Sequence, residues 1–218
     1  MLAIFKREFK SYFQNVIGWL FVAALLAVYG LYFYVYNLKN GYPYISYDLK
    51  GIGFIMMIAV PILTMRSLSD EKKTKTDQLM LTSPVSVGRI VAGKYLAMAA
   101  VYTIDIALFA LSPLVLSIYG KVALSEAYVA LFGYWFYGLS CIAVGLFISS
   151  ISESVIISAI LTFAALFLSY MMQSITGLIS SSGNLLTKVL NCFDLYTPFE
   201  NFVSGCFSVT SAAYYVTV

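Results

Sequence analysis

The sequence predicts an all-α protein with several membrane-spanning helices, and two observations carry that prediction. Hydrophobic residues make up 61% of the 218 residues and charged residues only 11%, whereas a soluble domain carries about 25% charged residues. A core of this size cannot bury so many apolar side chains, so lipid must surround most of them. Apolar runs of about 20 residues also recur along the chain, which is the length that a helix needs to cross the hydrocarbon core.

Composition also excludes several functions. The chain has no histidine, so histidine metal sites and Ser-His or Cys-His catalysis are absent. Cys141, Cys192 and Cys206 make neither a zinc ligand set nor a disulfide framework, and the last two can pair only if both face an oxidising compartment. The net charge of +3 is too small for a nucleic-acid surface. We therefore expect no catalytic residue, metal, cofactor or nucleic-acid partner.

The first element is a basic amphipathic segment over residues 1–15. Leu2, Phe5, Phe9 and Tyr12 fall on one helical face, and most of the charged residues fall opposite. This pattern predicts a helix lying in the membrane interface, with its cations near anionic headgroups. The alternative is a frayed basic terminus.

The remaining organisation is a single transmembrane domain over 1–218. Nine of the 13 lysine and arginine residues fall on the side of the N-terminus, which predicts that this side is cytoplasmic. The last apolar run breaks off at Val218, so we expect the natural polypeptide to continue for about 15–20 apolar residues and to return inside. The predicted spans are 16–36, 50–66, 95–119, 127–151 and 155–179, with 212–218 as the start of a sixth.

The loop over 67–94 is the only sizeable cytoplasmic one. It begins with a charged stretch, after which a short helix can start at Thr76 or Asp77 and end at Ser83-Pro84. The helix carries an apolar trio, Leu79, Met80 and Leu81, which we expect another protein to cover. The alternative is that the trio packs onto the protein's own spans. The predicted helix comprises Thr76, Asp77, Gln78, Leu79, Met80, Leu81, Thr82, Ser83 and Pro84.

The external segment over 180–211 is predicted to form short helices, one of them at 185–190. Thr197, Pro198 and Glu200 have the spacing of a capping box with proline at the first helical position. The helix that they begin, through about Cys206, is too short to span the membrane.

Residues 88–94 nearly match the phosphate-binding P-loop pattern. Tyr95 stands where that pattern needs a serine or threonine to bind magnesium, and no strand precedes the segment. We therefore expect that this chain does not hydrolyse ATP by itself.

Two features of the spans have a functional and a structural interpretation. Asp105 lies near the middle of the third span, where a carboxylate marks a substrate or ion contact, unless it is protonated or bonded to a neighbouring Tyr or Ser hydroxyl. Tyr29, Tyr32 and Tyr36 repeat at helical spacing on the first span. They form either an aromatic belt at the interface or a wall for an amphiphilic substrate.

Several motifs together resemble a type-2 ABC transporter permease of the gliding-motility branch. The resemblance covers essentially the whole chain and is most specific between residues 66 and 97. The motifs that carry it are FKREFK at 5–10, PILTMRSLSDEKK at 61–73, TDQLMLTSPV at 76–85, GKYLA at 93–97 and TPFENF at 197–202.

The resemblance implies a six-span permease subunit of an ATP-driven exporter in the cytoplasmic membrane of a bacterium. Residues 76–84 would be the coupling helix against a separate ATPase subunit, and the turn at 149–154 a second, minor contact. Further partners would be a second ATPase, a second permease copy or homologue, and an auxiliary membrane or extracytoplasmic protein. The alternative is a non-transporting scaffold for a surface or motility assembly; a secondary transporter driven by Asp105 protonation is a third class.

Overall fold

The computed structural model describes residues 2–75, 86–119, 122–179, 194–205 and 208–217. All regular elements in these ranges are helical, which confirms the all-α class. They are α1 (Leu2–Gln14), α2 (Val16–Phe33, continued by a π-helix at Tyr34–Lys39), α3 (Ser46–Thr64), α4 (Ser69–Lys73), α5 (Val87–Phe109), α6 (Ser112–Tyr119), α7 (Leu124–Ile151), α8 (Val155–Ile179), α9 (Thr197–Val203) and α10 (Val209–Thr217).

Five helical stretches within the described ranges are long and apolar enough to cross a membrane. The third begins eight residues before its predicted start and is divided into two helices, because α5 begins at Val87 and stops at Phe109 before α6. Pro113 explains the break, since it has no N–H to donate to the Phe109 carbonyl. The Ser112 hydroxyl donates to that carbonyl instead, at 2.7 Å. The five stretches are Val16–Lys39, Ser46–Lys73, Val87–Tyr119, Leu124–Ile151 and Val155–Met172.

Helix α7 lies at the centre of the bundle and packs against α3, α5, α8 and α9. Two of its glycines allow the close approach of aromatic rings. The Tyr102 ring of α5 occupies the space where a side chain at Gly138 would be, and the Phe202 ring of α9 does the same at Gly133. In lipid no hydrophobic force drives helices together, so their association depends on close packing, which small residues at the crossings allow.

The predicted N-terminal amphipathic segment is helical, and α1 packs along α5. Phe5, Phe9 and Phe13 form a row of rings with centroids 5.8 and 5.0 Å apart. Trp19 of α2 meets the end of this row edge-on and donates its indole N–H to the Phe13 carbonyl at 2.9 Å. These contacts set the angle between α1 and the first span.

The start of α9 corrects the predicted capping box. Thr197 does not cap the helix; its hydroxyl donates to the Asp194 carboxylate at 2.5 Å, and the Tyr196 and Thr197 N–H groups donate to the same carboxylate at 3.0 and 2.9 Å. A carboxylate is a stronger acceptor for these N–H groups than the Thr197 hydroxyl. The helix ends at Val203 rather than near Cys206. The predicted helix at 185–190, Cys192 and Cys206 lie outside the described residues.

Candidate functional site

The predicted coupling helix, Thr76 through Pro84, lies outside the described residues, but both of its flanks are described. The chain approaches it through α4 and Lys75, and it leaves through Ser86, after which α5 begins. The candidate site is therefore the group of polar residues that the structure describes next to these two flanks.

Lys94 of α5 is the centre of that structure and is only 2% exposed. Its ammonium donates to the Glu71 carboxylate at 2.7 Å and to the Ser67 carbonyl at 2.7 Å. The Glu8 carboxylate of α1 lies 3.6 Å away. A buried ammonium is stable only when it is paired and hydrogen-bonded, so these three contacts explain how the lysine is accommodated.

Arg7 adds a second connection from α1. Its guanidinium pairs with Glu8 at 2.6 Å and lies 3.9 Å from Glu71. Arg7, Glu8, Glu71 and Lys94 are called here the Lys94 cluster. The cluster joins three parts of the chain that are distant in sequence: the N-terminal helix, the region after α3 and the first half of α5.

A polar cleft of about 430 Å³ opens beside the cluster. Tyr12 lines it, and burial, together with the negative charge of Glu8, holds the pKa of the Tyr12 hydroxyl well above its ordinary value. The hydroxyl therefore stays a neutral hydrogen-bonding group at physiological pH. The side chains that line the cleft are Arg7, Glu8, Ser11, Tyr12, Asn15, Ile17, Arg66, Ser67, Asp70, Glu71, Thr74 and Lys94.

Helix α4, next to the cluster, is anchored to the end of α7. The Leu68 and Ser69 N–H groups both donate to the buried Ser149 hydroxyl at 3.2 Å, which satisfies N–H groups that a helix start leaves unpaired. The Lys72 ammonium donates to the Ser150 carbonyl. The predicted second ATPase contact at 149–154 thus begins with residues that hold α4 in place.

Asp105 is fully buried, and neither of its carboxylate oxygens has a hydrogen-bond partner among the described residues. Among the residues that the structure describes, no Tyr or Ser hydroxyl bonds to Asp105, so these residues do not supply that alternative. Tyr29 of α2 stacks on Phe109, which follows Asp105 by one turn of α5, with ring centroids 4.1 Å apart, and it bonds to Ser112.

The other two predicted tyrosines belong to a different surface. Tyr32 and Tyr36 stack on each other at 5.9 Å, and the Tyr32 ring lies against Gly51 of α3. The structure therefore divides the three predicted tyrosines: Tyr29 contacts α5, whereas Tyr32, with Tyr36 stacked on it, lies against α3.

The P-loop-like segment is not a loop. Residues Gly88 through Lys94 lie inside α5, so their backbone N–H groups have no turn in which to surround a phosphate. Lys94 instead takes its carboxylate partners from α1 and α4. The Lys94 cluster was not predicted from the sequence. Two signals for it are present: a lysine inside an apolar helix and a glutamate within the basic N-terminal helix. Within the described residues, no group of His, Cys, Asp and Glu could hold a metal ion.

The five long apolar helices and the polar cluster at one end of the bundle define a polytopic helical membrane protein. The family described as ABC-2 family transporter protein matches residues 6–216, and the chain belongs to this family. It is a permease subunit of an ABC transporter and is not itself the ATPase. No curated protein and no solved structure matches the chain. The gliding-motility branch stays a prediction.

Proposed function

We propose that this permease subunit exports a substrate across the cytoplasmic membrane of a bacterium, driven by ATP that a separate subunit hydrolyses. The observation that carries the proposal is the 2.7 Å ion pair between Glu71 and Lys94. These residues stand on the two sides of the predicted coupling segment. A force on the segment would therefore act on α4, which carries Glu71, and on α5, which carries Lys94, together.

The proposed partner is an ATPase subunit that covers the apolar trio Leu79, Met80 and Leu81. An apolar trio next to a charged stretch of a cytoplasmic loop favours a segment that binds another protein. A second permease copy or homologue and a second ATPase would complete the transporter, and an auxiliary membrane or extracytoplasmic protein is a further proposed partner.

The proposed orientation has the N-terminus inside. The Lys94 cluster brings α1, α4 and the start of α5 to the same end of the bundle. Most of the chain's cations, including Lys72, Lys73 and Arg89, belong to these elements. Cytoplasmic loops are enriched in lysine and arginine, so this end is the one that would meet the ATPase.

The proposed substrate path includes Asp105, Tyr29, Tyr32 and Tyr36. A carboxylate at the centre of a span costs about 2.5–3.5 kcal/mol on insertion scales. A cost of that size, without a hydrogen bond to offset it, favours a functional reason for Asp105. Exposure of this carboxylate in another state of the transporter would supply that reason.

The proposal is tested by replacing Leu79, Met80 and Leu81 together by serine. The variant and the unchanged chain are purified with the ATPase subunit that copurifies from the natural host, and reconstituted in vesicles. We expect the triple variant to insert normally but to lose most ATPase binding and the vesicle-linked ATP hydrolysis.

The control variant replaces Lys73 and Lys75, two exposed residues just before the segment, by serine. It should retain binding and hydrolysis. Unchanged ATPase binding and hydrolysis in the triple variant would contradict the proposed coupling contact.

A further inference from the structure

We propose that the polar cleft beside the Lys94 cluster binds the headgroup of a zwitterionic phospholipid that carries a primary ammonium, of the phosphatidylethanolamine class. Arg66 binds the phosphate of this headgroup, and Asp70 accepts hydrogen bonds from its ammonium. The inference needs only the cleft and the membrane location of the chain, so it does not depend on export or on an ATPase.

The cleft lies at the level of the lipid headgroups. Its walls are one face of α1, the start of α2 and the chain that follows α3. Asn15, which lines the cleft, directly precedes the first span. Trp19, one turn into that span, is 60% exposed, and exposed tryptophans are enriched at the membrane–water interface. A headgroup of the adjacent leaflet can therefore reach the cleft without leaving the bilayer.

The charges around the cleft balance. Its volume of about 430 Å³ lies within the range of small-molecule sites. A cleft with equal numbers of opposite charges does not concentrate a simple anion or a simple cation, but it suits a ligand that carries both charges. The charged side chains that line it are three cations and three anions: Arg7, Arg66, Lys94, Glu8, Asp70 and Glu71.

Two of these six side chains are available to a ligand. The four members of the Lys94 cluster pair with one another, whereas Arg66 and Asp70 are exposed and take part in no ion pair among the described residues. Arg66 lies in the turn after α3, and Asp70 lies in the first turn of α4. A guanidinium binds a phosphate through two parallel N–H bonds, and a carboxylate forms strong hydrogen bonds with an ammonium. The cleft therefore offers one site for each charge of the headgroup.

The lining also favours a primary ammonium over the quaternary ammonium of choline. Quaternary ammonium groups are recognised in cages of aromatic rings. Among the described residues that line the cleft, Tyr12 is the one aromatic side chain. A primary ammonium instead has three N–H donors. The Asp70 carboxylate accepts such a bond, and the Ser11 and Thr74 hydroxyls at the cleft are further acceptors.

The first span provides a surface for the acyl chains. Ile17 lines the cleft, and the same face of α2 continues into the bilayer. Residues along this face recur every three or four positions and are apolar and exposed: Leu20, Ala24, Ala27 and Leu31. A lipid whose headgroup occupies the cleft can therefore lay its chains along α2, which a free headgroup or a phosphate ion cannot do.

The experiment counts retained lipids by native mass spectrometry. The full chain, with whatever subunits copurify, is reconstituted in vesicles that hold equal amounts of phosphatidylethanolamine, phosphatidylcholine and phosphatidylglycerol. It is then extracted with a mild detergent and sprayed. We expect one phosphatidylethanolamine per permease chain, enriched about tenfold over the other two lipids, because one charged hydrogen bond contributes about 1.5–3 kcal/mol and 1.4 kcal/mol is a factor of ten.

Two variants separate the two halves of the headgroup. Arg66→Gln should lower the retention of phosphatidylethanolamine about tenfold, because the phosphate loses its charged partner. Asp70→Asn should lower phosphatidylethanolamine to the level of phosphatidylcholine and leave phosphatidylglycerol unchanged, since only the ammonium loses its partner. The matched controls Lys73→Gln and Glu126→Gln make the same kinds of change at exposed side chains outside the cleft, and they should retain lipid as the unchanged chain does.

A competition arm on the unchanged chain distinguishes a lipid from a free anion and needs no substitution. Inorganic phosphate should not displace the retained phosphatidylethanolamine, and glycerophosphoethanolamine, which has the headgroup without acyl chains, should displace it only in large excess. Displacement by inorganic phosphate as effective as by glycerophosphoethanolamine would show an anion site and overturn the inference. Equal retention of the three lipids, or equal losses in the cleft variants and their controls, would overturn it as well.

Discussion

Replacing Glu71 by glutamine tests how strongly the buried lysine depends on its nearest carboxylate. Glutamine has nearly the same shape and keeps an oxygen that can accept the Lys94 hydrogen bond. The substitution therefore removes the negative charge while preserving the packing. The neighbouring substitution Asp70→Asn makes the same chemical change at an exposed side chain outside the ion pairs found among the described residues, and it serves as the control.

The expected loss follows from the distances around the ammonium. At an effective dielectric constant near 20, a charge pair at 2.7 Å contributes about 6 kcal/mol of attraction and one at 3.6 Å about 5 kcal/mol. Glu8 therefore continues to compensate the lysine. Removing Glu71 also relieves its repulsion with Glu8 and its own desolvation. We therefore expect Glu71→Gln to lower the free energy of unfolding by about 2 kcal/mol, which is in the range for one charged hydrogen bond.

The assay is reversible unfolding of the purified chain in mixed micelles, followed by tryptophan fluorescence. Glu71→Gln should lower the free energy of unfolding by about 2 kcal/mol, and Asp70→Asn should change it by less than about 0.5 kcal/mol. Equal effects of the two substitutions would show that Lys94 does not depend on Glu71, and the reasoning about the cluster would be wrong.

Two further predictions concern packing and orientation. Gly138→Ala should lower the free energy of unfolding by about 1–3 kcal/mol in the same assay, because its methyl group overlaps the Tyr102 ring. Gly30→Ala, where the added carbon meets nothing within 4 Å, should be neutral or stabilising. A larger loss for Gly30→Ala than for Gly138→Ala would contradict the close approach of α5 to α7. An impermeant thiol reagent should label Ser46→Cys in intact cells and Thr74→Cys only after permeabilisation, and the opposite pattern would invert the proposed orientation.

The all-α class and the membrane location were predictable because they depend on local composition. The run from residue 16 to 36 carries no charge and is long enough to span the hydrocarbon core, so its membrane location does not depend on how the rest of the chain folds. The break after Phe109 was predictable in principle from Pro113, since proline removes a specific backbone bond. The cap of α9 was not predicted correctly, because Thr197 and Asp194 both have capping side chains and the spacing alone favoured the wrong one.

The sequence by itself determined which segments of this protein are apolar, which are charged and which family it belongs to. Only the tertiary structure decided what the charged residues do. Glu71 lies 23 positions from Lys94, and Glu8 comes from the N-terminal helix. The hydropathy of a segment is the sum of its own side chains, but the pairing of a charge depends on which distant segments approach it where water is scarce. A lysine that looked like part of a nucleotide motif is therefore the buried centre that joins three helices.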